Sequence, residues 1–443
     1  MDGMKNILKR VNTVFSRGSE TLFLLLLTLK ILDYLVNRIW WNVAVPYLDT
    51  IMAHVKLTVL LVTLWVLAMT ISFCLFARPS EPAENGEQSL WRRLYTMSGA
   101  RLLLMVITCL IIGFLLRFLL EKSAASYTVI VCTALILLSS GRNYRKTERT
   151  FLLLFTGVIV VSATGLLLGF TYGGVKVGAY GTGFSLGMTY PNTWARAFFL
   201  VILLIWYERL QEKPVWTFAL FWLAAILTLL VVKCRTIALL LILFPIAAWL
   251  KGRFTARMMN GSAVHRSQGT KRVLKTILIA MPFICFIITL LLCSQMELLH
   301  KLTYGNYLRN MSKRFVQGGI ALKEYGLPLL GRSVDLGHNI TVLLNGKAEN
   351  LYVLDCGYIS YGLSRGMIWL CAMLAWQSFA NHRCIRNKDY SMLLIGLFMS
   401  LLALMEREGF DPWYNLTLLY PLAKTNILKA SVRANVRVKD AAG

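Results

Sequence analysis

Polar side chains with helical spacing stand at the start of an apolar run in the segment "GMTYPNTWARAF", Gly187 to Phe198. Asn192 and Arg196 are four residues apart and share one face of a helix, with Tyr190 just before its start. An arginine inside an apolar helix is costly against lipid and usually faces a polar interior, although it can also snorkel to the headgroups. The segment therefore predicts a polar binding site at the mouth of this helix.

A second cationic motif is the short turn "KCRT", which places Arg235 between two apolar runs. A guanidinium offers a planar fork of donors that can hold a diphosphate through two parallel hydrogen bonds. The turn therefore predicts an anion site at the membrane surface, with snorkelling again as the alternative reading.

One long polar segment, residues 294–357, interrupts the apolar pattern and carries Arg314, Arg332, His338 and Asp355. Long loops in compact proteins are uncommon unless they have a function. A later turn, "EREGFDPW", adds Glu406. We expect these groups to meet the two motifs above on one face of the membrane and to form a site for an anionic substrate. The alternative for any single residue is a solvated surface charge.

The elements that must position these residues are membrane helices. Of the 443 residues 57% are hydrophobic and only 15% are charged, and the mean hydropathy is +0.61, which excludes an ordinary soluble domain. Since a spanning helix needs roughly 20 apolar residues, we predict an all-α polytopic membrane protein with about 12 spans in a single domain, residues 1–443. The predicted spans are 21–36, 57–76, 102–120, 127–140, 151–170, 193–207, 216–232, 237–250, 277–293, 358–380, 392–405 and 413–428.

The net charge of +26 could point to a nucleic-acid partner, but the positions of the charges favour a membrane topology. Lysines and arginines concentrate in alternate loops and at both termini, as the positive-inside rule requires of cytoplasmic segments. We therefore predict no nucleic-acid partner, two cytoplasmic termini and an extracytoplasmic segment 294–357.

The nine cysteines form no CxxC pair, and no phosphate-binding loop or acidic metal box is present. The sequence accordingly predicts no disulfide framework, no metal site and no cofactor.

The motifs resemble those of bacterial polysaccharide polymerases of the O-antigen polymerase (Wzy-type) family. "GMTYPN" is similar to their "G-F-x-H-P-N", and "CRT" at Cys234–Thr236 is similar to a short "S-R-T" turn. After the long loop, "DCGYISYGLSRGMI" resembles "D-N-x-Y" followed by "G-I", with Cys356 in place of the usual asparagine. Tyr190 likewise stands where many members have histidine.

The resemblance implies a GT-C-like, metal-independent glycosyltransferase in the bacterial cytoplasmic membrane. It would join undecaprenyl-diphosphate-linked oligosaccharide repeat units at the outer face, in contact with membrane lipid and with a flippase and a chain-length regulator as further partners. A cation must then stabilise the departing diphosphate. Arg235 is the first candidate and Arg314 the second.

A base must take the proton of the acceptor hydroxyl, and His338, Asp355 and Glu406 are alternatives. The remaining substrate-binding candidates are Tyr190, Asn192, Arg196, Arg332 and Tyr358. Two rival functions stay open. A ligase of the same superfamily would transfer finished polymer, and a flippase or other transporter would move repeat units.

Overall fold

The computed structural model describes residues 23–33, 39, 124–139, 143–171, 175–178, 181–188, 190–259, 268–303, 309–332, 340–344, 347–351 and 354–423. The predicted spans 57–76 and 102–120 lie outside these residues. Contacts divide the chain into two compact units, Met1–Leu29 with Asp49–Leu138 and Lys30–Leu48 with Ser139–Gly443. The described part of the first unit contains helix α1, Ala124–Leu138, where the span 127–140 is predicted.

The second unit is built mainly of helices. In chain order they are α2 (Tyr144–Leu167), α3 (Pro191–Ile205), α4 (Pro214–Leu227), α5 (Arg235–Met259), α6 (Gln268–Ser294), α7 (Met296–Thr303), α8 (Arg309–Tyr325), α9 (Gly357–Arg365), α10 (Met367–Arg386) and α11 (Tyr390–Leu402). Turns of π-helix, Trp206–Leu210 and Thr228–Val232, extend α3 and α4.

Four stretches within the described ranges are long and apolar enough to cross a membrane: Tyr144–Leu167, Pro214–Val232, Arg235–Gly252 and Arg272–Ser294. The prediction of a mostly helical membrane protein is therefore confirmed in outline. The number of about 12 spans and the GT-C-like arrangement stay predictions.

Two short hairpins accompany the helices, which the all-α prediction did not include. Strand β1 (Val175–Gly178) pairs antiparallel with β2 (Gly181–Phe184), and β3 (Ile340–Leu344) pairs antiparallel with β4 (Lys347–Leu351). The second hairpin, together with α7 and α8, lies within residues 294–357. That segment was predicted as one long loop, and its described part contains regular structure.

The predicted span 358–380 is two helices that meet at Gly366. Gly366 has a φ of 96°, a conformation that a side chain would strain. A Cβ atom there would lie 2.3 Å from the carbonyl oxygen of Leu329. The chain therefore breaks where its backbone packs against the loop that follows α8.

The predicted span 413–428 is not α-helical in its described part, residues 413–423. After α11 the chain runs through two turns of 3-10 helix, Arg407–Phe410 and Leu416–Leu419, and residues 408–421 are all buried. We call residues 406–420 the crossing segment. It starts beside the C-terminal end of α11 and returns to the N-terminal end, where the Tyr420 hydroxyl donates to Oδ2 of Asp389 at 3.2 Å.

Side-chain amides replace the helical hydrogen bonds that the crossing segment lacks. Asn415 Nδ2 donates to the Gly409 carbonyl at 2.7 Å and to Gln377 Oε1 at 3.1 Å, while Asn415 Oδ1 accepts from the Thr417 amide at 3.2 Å. Buried irregular backbone is tolerated only where protein groups or water satisfy its hydrogen bonds. The amides of α10 and of the segment itself make this route possible.

Candidate functional site

Glu406 is the centre of a buried ion-pair cluster at the C-terminal end of α11. Its side chain is 1% exposed. Oε2 accepts a hydrogen bond from Arg196 Nη1 at 2.7 Å, and Oε1 accepts one from Arg314 Nη1 at 2.7 Å. One carboxylate therefore joins two helices, α3 and α8, to the start of the crossing segment.

Arg196 lies in the second turn of α3 and is buried, so it does not snorkel to the surface. Pro191 begins the helix, because its fixed φ and missing N–H suit the first helical position. The guanidinium also pairs with Glu408 and donates to Thr193 Oγ1 at 3.3 Å, and the backbone carbonyl of Arg196 accepts from the Tyr414 hydroxyl at 2.9 Å. The opening motif of the sequence is thus anchored to the crossing segment.

Arg314 is held from three sides. Besides Glu406 it donates to the carbonyl oxygen of Met405, and its Nη2 lies 3.8 Å from Oδ2 of Asp355. The Asp355 side chain is 31% exposed, whereas that of Arg314 is 11% exposed. Asp355 is therefore the carboxylate of the cluster that is most exposed to solvent.

Burial and charge oppose each other in this cluster. Burial raises the pKa of the Glu406 carboxyl above its ordinary value, although the charges of Arg314 and Arg196 act in the opposite direction. Burial alone would lower the pKa of Arg314, but the charges of Glu406 and Asp355 raise it overall. The Arg314 guanidinium therefore stays charged.

The turn that carries Arg235 lies beside the same cluster. Lys233 has a left-handed conformation, φ 57°, after the π-helical turn of α4, and the Cys234 amide donates to the Thr228 carbonyl at 3.2 Å. Burial and the charge of Glu406 together raise the pKa of the Cys234 thiol to about 11, while the charges of Arg314 and Arg196 act to lower it. The Cys234 thiol is therefore within electrostatic range of Glu406. Arg235, half-buried, begins α5.

Other predicted site residues lie outside the ion-pair cluster. Tyr190 precedes α3 as its N-cap residue and is half exposed, and Asn192 follows in the first turn. Tyr358 is fully buried, and its hydroxyl donates to the Ser400 carbonyl at 3.0 Å, a contact that packs α9 against α11. The Arg332 guanidinium lies over the Tyr325 ring, 4.5 Å from its centroid. His338 lies outside the described residues.

A second ion pair at this end was missed by the sequence reasoning. Arg365 Nη2 lies 3.3 Å from Asp411 Oδ1, and the guanidinium stacks 3.5 Å from the centroid of the Tyr361 ring. The Tyr361 hydroxyl donates to the same carboxylate oxygen. Burial raises the pKa of Asp411 to about 6, with the charge of Arg365 opposing. The signal was present, since Glu408 and Asp411 stand in the same "EREGFDPW" turn as Glu406.

Comparisons with known proteins identify no relative of this chain. No protein-family model matches the chain, and neither does a curated protein or a solved structure. Within the described ranges, no group of three or more histidine, cysteine, aspartate or glutamate side chains is arranged to hold a metal ion. What the cluster offers chemically is fixed cationic charge, a partly exposed carboxylate and a helix start that carries a further arginine.

Proposed function

We propose that the chain is a membrane glycosyltransferase that polymerises lipid-diphosphate-linked oligosaccharide repeat units at the outer face of a bacterial cytoplasmic membrane. The observation that supports it is the ion-pair cluster of Arg196, Arg314, Asp355 and Glu406 beside the Arg235 turn. These residues come from separate motifs of the polymerase-like pattern. A fold that assembles them at one end of its helices supplies the charges that the reaction needs.

In this reaction the acceptor hydroxyl attacks the anomeric carbon of the donor sugar. A new glycosidic C–O bond forms, the bond to the lipid diphosphate breaks, and the diphosphate leaves with the bonding electrons. Arg235 is the group that we assign to the departing charge, because it is half-buried and the N-terminus of α5 also favours an anion. Arg314 contributes its charge from the cluster.

The geometry ranks the two described candidates for the base. Both oxygens of Glu406 accept hydrogen bonds from arginines, so this carboxylate is occupied as an orienting group. Asp355 is partly exposed and lies at the looser distance of 3.8 Å from Arg314. We therefore assign proton removal from the acceptor hydroxyl to Asp355 and orientation of the arginines to Glu406.

The test is deletion of the gene in its native host, followed by complementation with variants and separation of surface and lipid-linked glycans on a gel. Loss of polymerisation leaves single repeat units on the cell surface or the lipid carrier. Arg235→Ala and Arg235→Lys are expected to give this pattern at unchanged protein level, because lysine lacks the guanidinium fork. Lys323→Ala, at an exposed position near the end of α8, is the matched control and should restore the ladder.

A flippase is the second candidate, and the crossing segment is the observation that favours it. Transporters commonly place interrupted helices near the bilayer midplane, and here a buried non-helical segment runs beside α11. Single repeat units trapped on the cytoplasmic side of the deletion strain would support this function instead. Accumulation of long lipid-linked polymer would support a ligase.

A further inference from the structure

Two buried cysteines meet next to the candidate site. Cys293 lies at the C-terminal end of α6 and is 1% exposed, and Cys356 is the N-cap residue of α9 and is 0% exposed. Both are free thiols in the structure, and they are close enough to interact electrostatically with each other. They lie in one apolar cluster whose other members include Phe315 and Val316 of α8.

Helix α8 packs against this pair at a glycine, Gly318. A Cβ atom at Gly318 would lie 2.7 Å from Cys293 Sγ and 3.9 Å from Cys356 Cβ. The space that a side chain would occupy is therefore filled by the Cys293 sulfur. This packing holds the Cys293 sulfur between α8 and the start of α9.

The position of Cys356 also favours its thiolate. The neighbouring Cys293 thiol lowers the pKa of the Cys356 thiol most strongly, burial opposes this, and the backbone N–H groups of Ile359 and Tyr358 and the charge of Arg314 lower it further. Thiolates at helix N-termini are the reactive form of cysteine. Of the two sulfurs, Cys356 is thus the better nucleophile.

We propose that Cys293 and Cys356 are joined by a disulfide bond in the mature protein and that this bond fixes Asp355 beside Arg314. The proposal rests on the extracytoplasmic topology of the proposed function but not on its chemistry. Asp355 is the residue directly before Cys356, so a bond from Cys356 to α6 restrains the backbone from which the Asp355 carboxylate reaches Arg314. Formation of the bond brings the two Sγ atoms to about 2 Å from each other.

The bond forms by exchange with a disulfide donor, such as a protein dithiol–disulfide oxidoreductase of the cell envelope. The Cys356 thiolate attacks one sulfur of the donor disulfide, a mixed disulfide forms, and the other donor sulfur leaves as a thiol. The Cys293 thiolate then attacks the Cys356 sulfur and releases the second donor thiol. In total the two cysteines lose two protons and two electrons, and the donor disulfide gains them. Since both thiols are buried in the folded chain, exchange requires local opening of the turn at Asp355 or occurs before α9 docks.

The experiment uses the full-length protein in membranes of its native host. Free thiols are alkylated at harvest and again while the protein is unfolded in excess alkylating agent. The protein is then digested without reductant, and the peptides that contain Cys293 and Cys356 are mapped by mass spectrometry. We expect one linked species, two hydrogens lighter than the two thiol peptides together, which splits on reduction. Recovery of both peptides in alkylated form would overturn the proposal.

Matched variants make the result specific. Cys293→Ser and Cys356→Ser should each remove the linked species and make the remaining thiol available to alkylation after unfolding. Cys285→Ser, which removes another buried cysteine of α6, should leave the linked species at the wild-type level. A linked species that survives Cys293→Ser would contradict the assignment. Because peptide mapping does not depend on glycan synthesis, a failed polymerase assay and a failed disulfide assignment are separate results.

Discussion

Glu406→Gln is the substitution that tests the ion-pair cluster most directly. It keeps the size of the side chain but removes the negative charge between two buried arginines. In the wild-type protein each oxygen of Glu406 accepts a hydrogen bond of 2.7 Å, one from Arg196 and one from Arg314. The glutamine can accept through its oxygen only, and its amide group presents hydrogens to the other guanidinium.

The expected loss of stability depends on which carboxylate partners the two arginines keep in the variant. Breaking a buried ion pair costs about 3 to 5 kcal/mol, because a charge is left in the interior without its partner. Here Arg196 keeps Glu408, and Arg314 keeps Asp355 at 3.8 Å, so we take the lower end of that range. For a chain of 443 residues, a loss of about 3 kcal/mol corresponds to a fall of roughly 3 °C in the melting temperature.

The assay is thermal unfolding in detergent, followed with a dye that becomes fluorescent on reaction with newly exposed cysteines. Buried cysteines such as Cys132, Cys234 and Cys285 make unfolding visible to this dye. Glu324→Gln, an exposed position on α8, is the matched control and should change the melting temperature by no more than about 1 °C. A melting temperature for Glu406→Gln equal to that of the control would refute the reasoning that this carboxylate neutralises buried charge.

A double-mutant cycle then separates the pair from the site as a whole. Arg314→Met removes the charge of one partner while it keeps an unbranched side chain of similar length. If Arg314 and Glu406 interact as the 2.7 Å contact indicates, the double variant should be more stable than the sum of the two single changes predicts, by about 1 to 3 kcal/mol. Strict additivity would mean that the contact contributes nothing to stability.

Of three further predictions, the first two use the same unfolding assay, and the third, a pH profile, follows unfolding by intrinsic tryptophan fluorescence because the dye reacts with thiolates. Gly366→Ala should lower stability by about 2 kcal/mol, because φ is 96° and the new methyl group would lie 2.3 Å from the Leu329 carbonyl oxygen. The control Gly157→Ala, in α2, has open space around the new methyl group and should not destabilise the protein. Equal behaviour of the two variants would contradict this account. Asn415→Ala should cost about 2 kcal/mol, since it leaves the Gly409 carbonyl without its side-chain donor and Gln377 Oε1 with the Thr417 hydroxyl alone. An unchanged melting temperature would show that the crossing segment does not need Asn415. Burial raises the pKa of Asp411 from 3.8 to about 6, so its native state binds the proton more tightly than the unfolded chain, and this contribution to stability is present below pH 4 and lost as the pH rises to about 6. As the pH rises through that interval, the free energy of unfolding of the wild type should fall by up to about 3 kcal/mol more than that of Asp411→Asn, which has no carboxyl to titrate. Parallel pH profiles of the two proteins would refute the assignment.

The membrane class of the protein and several of its helices were predictable from local information. Apolar runs of sufficient length predict spans because hydrocarbon requires it, and α2, α4, α5 and α6 lie where spans were predicted. Polar motifs at the ends of those runs, such as the one that carries Arg196, were visible for the same reason. A buried cation is unusual against a uniformly apolar background.

Two departures from the predicted elements have local causes that only packing reveals. The run 358–380 is apolar enough for one helix, but Gly366 adopts a positive φ so that its backbone can contact the loop at Leu329. The run after Trp413 is also apolar, yet it forms turns of 3-10 helix because Gln377 and Asn415 supply hydrogen bonds from the side. Hydrophobicity records burial and does not distinguish a helix from an irregular segment that protein groups satisfy.

The amino-acid sequence by itself determined that this chain enters a membrane and which charged residues stand at the ends of its apolar runs. Only the tertiary structure decided which charges meet. Arg196 is 210 residues from Glu406 along the chain, Arg314 is 92 residues away, and Cys293 meets Cys356 across the segment predicted as a loop. The physical reason is that the free energy of a buried charge or thiol depends on its neighbours in space, and no local pattern specifies a neighbour at that separation.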